Sequence, residues 1–144
     1  MHEFLQYRVR HVMTTRLETI EPRASLARAQ EIFDQHDFNA LPVVEPDGRL
    51  VGIFTKLDLL AAFAFTSTSI IPHYEDVMRS QVSERMTREP VTVGPDLPLT
   101  RVLQELVATR NKSFPVVNGT GLVGIVARED VLRALRRAAA GEPP

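Results

Sequence analysis

The sequence predicts an α/β chain made of two β-α-β-β-α units, packed sheet to sheet about a pseudo-two-fold axis. Three observations carry that expectation. Residues 12–60 recur at 85–132, and a repeat of this period marks stacked copies of one supersecondary unit. Each copy runs from a β-favouring stretch into a helix of 3.6 periodicity and then into two apolar strands. A lone unit of roughly 50–60 residues buries too little surface to be stable, so the copies need each other.

A shift of 73 residues lays Met13-Thr14 on Met86-Thr87, Thr19-Ile20 on Thr92-Val93, Pro22 on Pro95 and Leu26 on Leu99. The same shift brings Pro42-Val43-Val44 onto Pro115-Val116-Val117. Omitting Arg49 changes the shift to 72, which aligns Leu50-Val51-Gly52-Ile53 with Leu122-Val123-Gly124-Ile125 and Asp58 with Asp130. The chain is an internal duplication.

The elements follow in order. Glu18-Thr19-Ile20 and Val91-Thr92-Val93 are short β-favouring runs, each closed by a Pro. Leu26, Ala29 and Phe33, like Leu99, Val102 and Leu106, recur at the i, i+3, i+7 spacing of a helix that buries one face. Ser25 and Thr100 are suited to the cap or first turn of those helices. The run Leu41-Pro42-Val43-Val44 is apolar on both faces, as a covered strand requires, and its early Pro suits a strand start. Turn chemistry follows at Glu45-Pro46-Asp47-Gly48 and at Asn118-Gly119-Thr120-Gly121. A second strand, Leu50 to Phe54, leads into a helix beginning near Lys56, which is expected to continue through Ala61–Phe65. The expected boundaries are 8–65 for the first unit, 66–81 for a linker, 82–137 for the second unit and 138–144 for a flexible tail.

Composition limits the function. The chain has 144 residues, 44% of them hydrophobic, and a formal net charge of -1. An ordinary core is therefore available, while no basic field exists to hold nucleic acid. There is no cysteine, so disulfides and thiolate metal sites are excluded. His2, His11, His36 and His73 are scattered and lack the paired spacing of a metal site. No apolar run approaches the roughly 18 residues that span a bilayer, and the N-terminus lacks the features of a secretion signal. A cytoplasmic location is the expectation. No nucleophile elbow, Walker A run or Gly-x-Gly-x-x-Gly run is present, so an enzyme is not expected.

The head Val-Met-Thr, the middle Leu-Pro-Val-Val and the ending Gly-Ile-Phe-Thr-Lys-Leu-Asp resemble the cystathionine-β-synthase (CBS) domain. The doubled arrangement over about residues 8–137 is similar to a small stand-alone CBS pair, or Bateman module. That resemblance implies a regulatory ligand with an adenosine moiety (AMP, ADP, ATP, NAD or S-adenosylmethionine) in the cleft between the units, and no required cofactor. It also implies a homodimer, for which the exposed faces of Ala61, Ala62 and Phe65 are suited. In the family, a Ser or Thr followed three residues later by Asp contacts phosphate and ribose. Carried over, these are Thr55 and Asp58 in the first copy. The second copy keeps Asp130 but has Ala127 at the hydroxyl position. Lys56 and Arg128 follow at once as candidate phosphate donors. The adenine walls implied are Thr19, Ile20, Ala40, Leu41 and Pro42 in one copy, and Thr92, Val93, Ser113, Phe114 and Pro115 in the other.

The chemistry of the doubled Asp stands beside that resemblance. A carboxylate accepts two hydrogen bonds from a cis-diol, and a helix N-terminus favours a nearby phosphate. The competing reading is that Asp58 and Asp130 only complement their helix dipoles. Gly52 and Gly124 read as strand-packing glycines, and the cluster Arg128, Arg133, Arg136 and Arg137 as a solvated helix face. A structural dimerisation module with no nucleotide is the alternative to a ligand sensor.

Overall fold

Residues 1–64 and 73–144 are described by a computed structural model. In chain order the helices and strands are α1 (Val9–Val12), α2 (Leu26–Gln35), β1 (Ala40–Val44), β2 (Leu50–Thr55), α3 (Lys56–Ala61), α4 (Tyr74–Arg79), β3 (Thr87–Arg88), α5 (Leu99–Thr109), β4 (Ser113–Asn118), β5 (Gly121–Ala127) and α6 (Arg128–Ala139). Short 3₁₀ turns lie at His2–Gln6 and Val82–Glu84. The chain forms two units, Glu18–Pro90 and Met1–Leu17 with Val91–Pro144.

In the first unit, β1 and β2 pair antiparallel with Ala40 opposite Thr55 and Val43 opposite Gly52. The β-favouring run at Glu18–Ile20 contributes a single parallel bridge rather than a strand: Ile20 N–H donates to Pro42 O and Ile20 O accepts from Val44 N–H. Pro22, two residues on, cannot donate to a ladder, which limits the pairing to Ile20. On the other edge, β3 pairs with β2, placing Thr87 opposite Ile53. α2 begins where the Ser25 hydroxyl accepts the Arg28 N–H at 3.1 Å, and its buried stripe is Leu26, Ala29, Ile32 and Phe33. That stripe packs with Leu41, Val43 and Phe54 in one core, with the Phe33 and Phe54 rings stacked at 6.2 Å.

The second unit repeats the pattern. Ser113 faces Ala127 and Val116 faces Gly124 across β4 and β5, and Val93 makes the parallel bridge to β4. The two hairpin turns differ as the alignment implies. Gly119 has φ +66 in the shorter turn and Gly48 has φ +93 in the one lengthened by Arg49, left-handed values that glycine adopts without penalty. α5 buries Leu99, Val102 and Leu106. Its N-cap is Pro98, not Ser or Thr. The Leu99 N–H is taken instead by the Tyr7 carbonyl at 3.0 Å, and Thr100 lies in the first turn.

Repeat copies and spatial units do not share boundaries. The Met13-Thr14 head of the first copy pairs with Ile125 in the second unit, through Thr14 N–H to Ile125 O and Ile125 N–H to Thr14 O. The Met86-Thr87 head of the second copy lies on Gly52 and Ile53 in the first unit. Both glycines are required by this closeness. A Cβ on Gly52 would lie 2.8 Å from both Met86 Sδ and Thr87 O, and one on Gly124 would lie 2.8 Å from Met13 Sδ and 3.0 Å from Thr14 O.

Three other expectations change. α3 stops at Ala61 because Phe63 and Ala64 tighten into i→i−3 bonds to Leu60 and Ala61; Phe65 and residues 66–72 of the expected linker lie outside the described residues. Ala62, offered as an exposed face, is buried. The segment 138–144 is not a fraying tail. Gly141, at φ +82, ends α6 with Gly141 N–H on Ala138 O and Glu142 N–H on Arg137 O, the paired bonds of a Schellman motif. The Tyr7 hydroxyl donates to Glu142 O at 2.9 Å, and Arg137 lies over the Tyr7 ring while bonding Glu142. Arg137 is thus tied into the fold rather than solvated.

Candidate functional site

Each unit brings its candidate residues to one end of its sheet, where a strand hands over to a helix. In the first unit the handover is Thr55 to Lys56. Thr55 is the N-cap of α3: its hydroxyl accepts the Asp58 N–H at 3.0 Å, and Asp58 Oδ2 accepts the Thr55 N–H at 2.9 Å. This reciprocal pair is a capping box with Asp in the place of Glu, so Thr55 and Asp58 have a structural role in any case. Among the described residues the other Asp58 oxygen, Oδ1, has no protein partner. Asp58 is half-buried, so that oxygen keeps its capacity for a ligand hydroxyl.

Ala40 lies beside Thr55 in the sheet and is half-buried. Lys56 is exposed; its N–H bonds Asn39 O and its ammonium lies 5.8 Å from the centre of the Phe33 ring. That distance fits a cation–π contact, and among the described residues the ammonium has no carboxylate partner. Thr19 is exposed next to Ile20.

The remaining candidate walls are core. Leu41 and Phe114 are fully buried, and Ile20 and Val93 nearly so. Their side chains pack in the hydrophobic clusters of their units. The Pro42 and Pro115 carbonyls are spent on the Ile20 and Val93 N–H groups. Pro42 and Pro115 serve the sheet. What remains open at this edge is Ala40, Thr19, Thr55, Lys56 and Asp58 in the first unit, and Ser113 with Thr92 in the second.

The second unit's handover is chemically different. Asp130 Oδ2 accepts the Ala127 N–H at 2.8 Å, but Ala127 has no hydroxyl to return the bond. Asp130 Oδ1 accepts from Arg133 at 3.3 Å, and Asp130 is only 6% exposed. The Arg128 guanidinium donates to the carbonyls of Asn111 at 3.0 Å and Arg110 at 2.6 Å. Arg128 thus spends donors on the loop before β4, which removes much of the phosphate-binding capacity expected of it. Arg133, expected as part of a solvated face, is the residue missed. Its i+3 spacing from Asp130 on one helix was the available signal.

Among the described residues no group of three metal-ligating side chains comes together, and no helix is long and apolar enough to cross a membrane. Among the described residues two largely apolar grooves lie on the helices. One, of about 370 Å³, is lined by Phe33, Leu59, Leu60 and Phe63 with Gln30, Asp34 and Lys56; the other, of about 290 Å³, by Leu103, Leu106, Val107, Val131 and Leu132 with Arg110 and Arg128.

Comparison with known proteins locates this architecture. Residues 9–64 and 76–137 match the family model described as the CBS domain. CBS domain-containing protein YhcV of Bacillus subtilis is 32% identical over 123 residues, covering 85% of this chain and 81% of that protein. Homoserine O-acetyltransferase of Methanococcoides burtonii is 31% identical over 137 residues, but this chain spans only 26% of its length. Among solved structures, CBSX2 in complex with AMP has 29% identity and a TM-score of 0.79, covering 92% of this chain and 98% of that one; CBSX2 is from Arabidopsis thaliana. The CBS domain pair of protein MJ0100, in complex with 5'-methylthioadenosine and S-adenosyl-L-methionine, has 27% identity and a TM-score of 0.71, covering 92% of this chain and 98% of that one.

Proposed function

The chain belongs to the CBS domain family, and we propose that it is a non-catalytic regulatory module that binds an adenosine-bearing ligand at the Thr55–Asp58 turn. The observation that carries this reading is the half-engaged Asp58 carboxylate: Oδ2 is held by Thr55 N–H, which aims the group, and among the described residues Oδ1 has no partner, so it can accept from a ribose diol. Lys56 and Thr55 stand beside it for a phosphate, and Ala40 with the Thr19 backbone offers a small-residue edge for a base. The AMP bound to CBSX2 and the 5'-methylthioadenosine and S-adenosyl-L-methionine bound to the MJ0100 pair support the ligand class. Their shared chemistry is adenine and ribose, not the phosphate, which agrees with a site whose fixed element is the diol acceptor. Ligand binding acts by favouring one packing of the protein over another, and a partner reads that difference.

The test is titration calorimetry with AMP, ATP and S-adenosylmethionine on wild type and Asp58→Asn. Asparagine retains a carbonyl oxygen for Thr55 N–H while removing the charge. Loss of charge-assisted bonds worth about 1.5–3 kcal/mol weakens binding about 10- to 150-fold. Equal affinity in the two proteins rejects Asp58 as the ribose acceptor.

The apolar grooves support a second property, homodimerisation. Leu57 and Leu60 on α3 are 72% and 68% exposed, and Val107 and Leu132 on α5 and α6 are 74% and 65% exposed. Large apolar side chains this exposed beside apolar grooves favour a protein interface.

A further inference from the structure

The two aspartates hold the same helical position but differ in what already occupies them. Among the described residues Asp58 has one oxygen engaged; Asp130 has both, one by Ala127 N–H and one by Arg133. The repeat alignment places the difference in the sequence. With the shift of 72 residues, the position matching Arg133 is Ala61, which has no side-chain donor. Arg133 itself is 54% exposed along its side chain, so it reaches inward from solvent to a buried carboxylate. Nothing else in the second unit compensates. Ala127 lacks the hydroxyl of Thr55, and two Arg128 donors are fixed on carbonyls.

We propose that Arg133 is a resident occupant of the second site: it holds the carboxylate oxygen that a cis-diol needs, so each chain takes one nucleoside ligand, on Asp58. This inference rests on the reading of Asp58 as a ribose acceptor. A diol reaching Asp130 must displace Arg133 and finds no Thr-type hydroxyl beside it. The arginine side of this pair is more than half exposed, and a pair so screened by solvent shifts an affinity up to about 5-fold, while one neutral hydrogen bond shifts it about 2- to 13-fold. Removing the arginine and restoring the hydroxyl therefore strengthens the second site by about 3- to 60-fold.

The experiment is titration calorimetry of the full chain with AMP and with adenosine, which carries the diol but no phosphate. The proteins are wild type, Arg133→Ala, Ala127→Thr/Arg133→Ala, and the last combined with Asp58→Asn; thermal midpoints verify that each is folded. The expected result is one ligand per wild-type chain, two in Ala127→Thr/Arg133→Ala, and one again when Asp58→Asn is added. That last ligand is lost on Asp130→Asn. Two ligands on wild type overturn the inference, as does a folded double variant that still binds one. So does weaker AMP binding in Arg133→Ala, which would make the arginine a phosphate donor. The two readings fail separately. Wild-type binding of one ligand unmoved by Asp58→Asn rejects Asp58, while the stoichiometry of the double variant still decides Arg133. Failure of every protein to bind rejects both.

Discussion

Replacing Gly52 by alanine tests the exchange of strand heads that organises both units. Gly52 lies in β2 without a left-handed backbone, so alanine meets no conformational obstacle. The obstacle is the Met86-Thr87 segment. The added methyl carbon would lie 2.8 Å from Met86 Sδ and 2.8 Å from Thr87 O, where ordinary contacts begin at 3.4 Å. The thioether can swing aside at small cost. The carbonyl cannot, because Thr87 and Arg88 are paired with Ile53 and Gly52, so the third strand must move outward by roughly half an ångström. Overpacking of this kind costs about 1–3 kcal/mol, and the gain of alanine over glycine within a strand returns about 0.5–1 kcal/mol. At mid-range values the net loss is about 1.3 kcal/mol, a fall of about 3–5 °C in melting temperature.

Gly94→Ala is the internal control. It makes the same chemical change where nothing lies within 4 Å and the backbone is not left-handed. It stabilises by about 0.4–1 kcal/mol through the unfolded chain. Urea and thermal denaturation of the two variants against wild type therefore shift in opposite directions. If Gly52→Ala is as stable as wild type, or if both variants shift alike, the Met86-Thr87 segment does not pack on Gly52 as described and the exchanged heads are wrong.

The other predictions concern acid and assembly. The His11 imidazole is held below the usual histidine range, first by burial and then by the Arg10 and Arg8 charges; its Nδ1 accepts the Arg8 N–H at 2.9 Å, which requires the neutral ring. The unfolded chain takes up the proton first, so stability is full above about pH 6.5 and declines as pH falls through the interval below it. Urea denaturation between pH 7.5 and 5.5 should show that decline, and His11→Gln, which keeps an acceptor at this helical position, should lessen it; identical pH profiles would remove the role of His11. For assembly, sedimentation should give a mass above the 16.1 kDa of one chain, and Val107→Lys/Leu132→Lys should return it toward that value; a wild-type monomer at micromolar concentration refutes the dimer.

Much of the fold was legible because duplication reads each element twice. The i, i+3, i+7 stripes of α2 and α5 and the turn glycines are local signals, and the structure has them where the residues imply. The sheet that each head segment joins was not legible, for the opposite reason. Met13-Thr14 and Met86-Thr87 are identical dipeptides at identical positions in their copies, so nothing in either says which sheet it joins. Only the long-range pairing of Thr14 with Ile125 decides that. The C-terminal segment was misread because Ala-Gly-Glu-Pro-Pro looks like a tail by composition. Its restraint comes from Tyr7, on the far end of the chain.

The candidate site was legible in its residues but not in its occupancy. Thr55 against Ala127 could be read directly from the alignment, and it correctly marked the second copy as altered. The stronger difference depends on rotamers. Arg133 follows Asp130 at i+3, a spacing at which the two side chains share a helix face, yet the same spacing is compatible with an arginine pointing to water. What selects the inward rotamer is the burial of Asp130, since a carboxylate at 6% exposure without a partner would carry a large desolvation cost. Asp58, half-buried and open to solvent, needs no such partner. The missing Thr55-type hydroxyl and the arginine one turn later therefore act on the same group: a helix start without a threonine is completed by a side chain of its own helix.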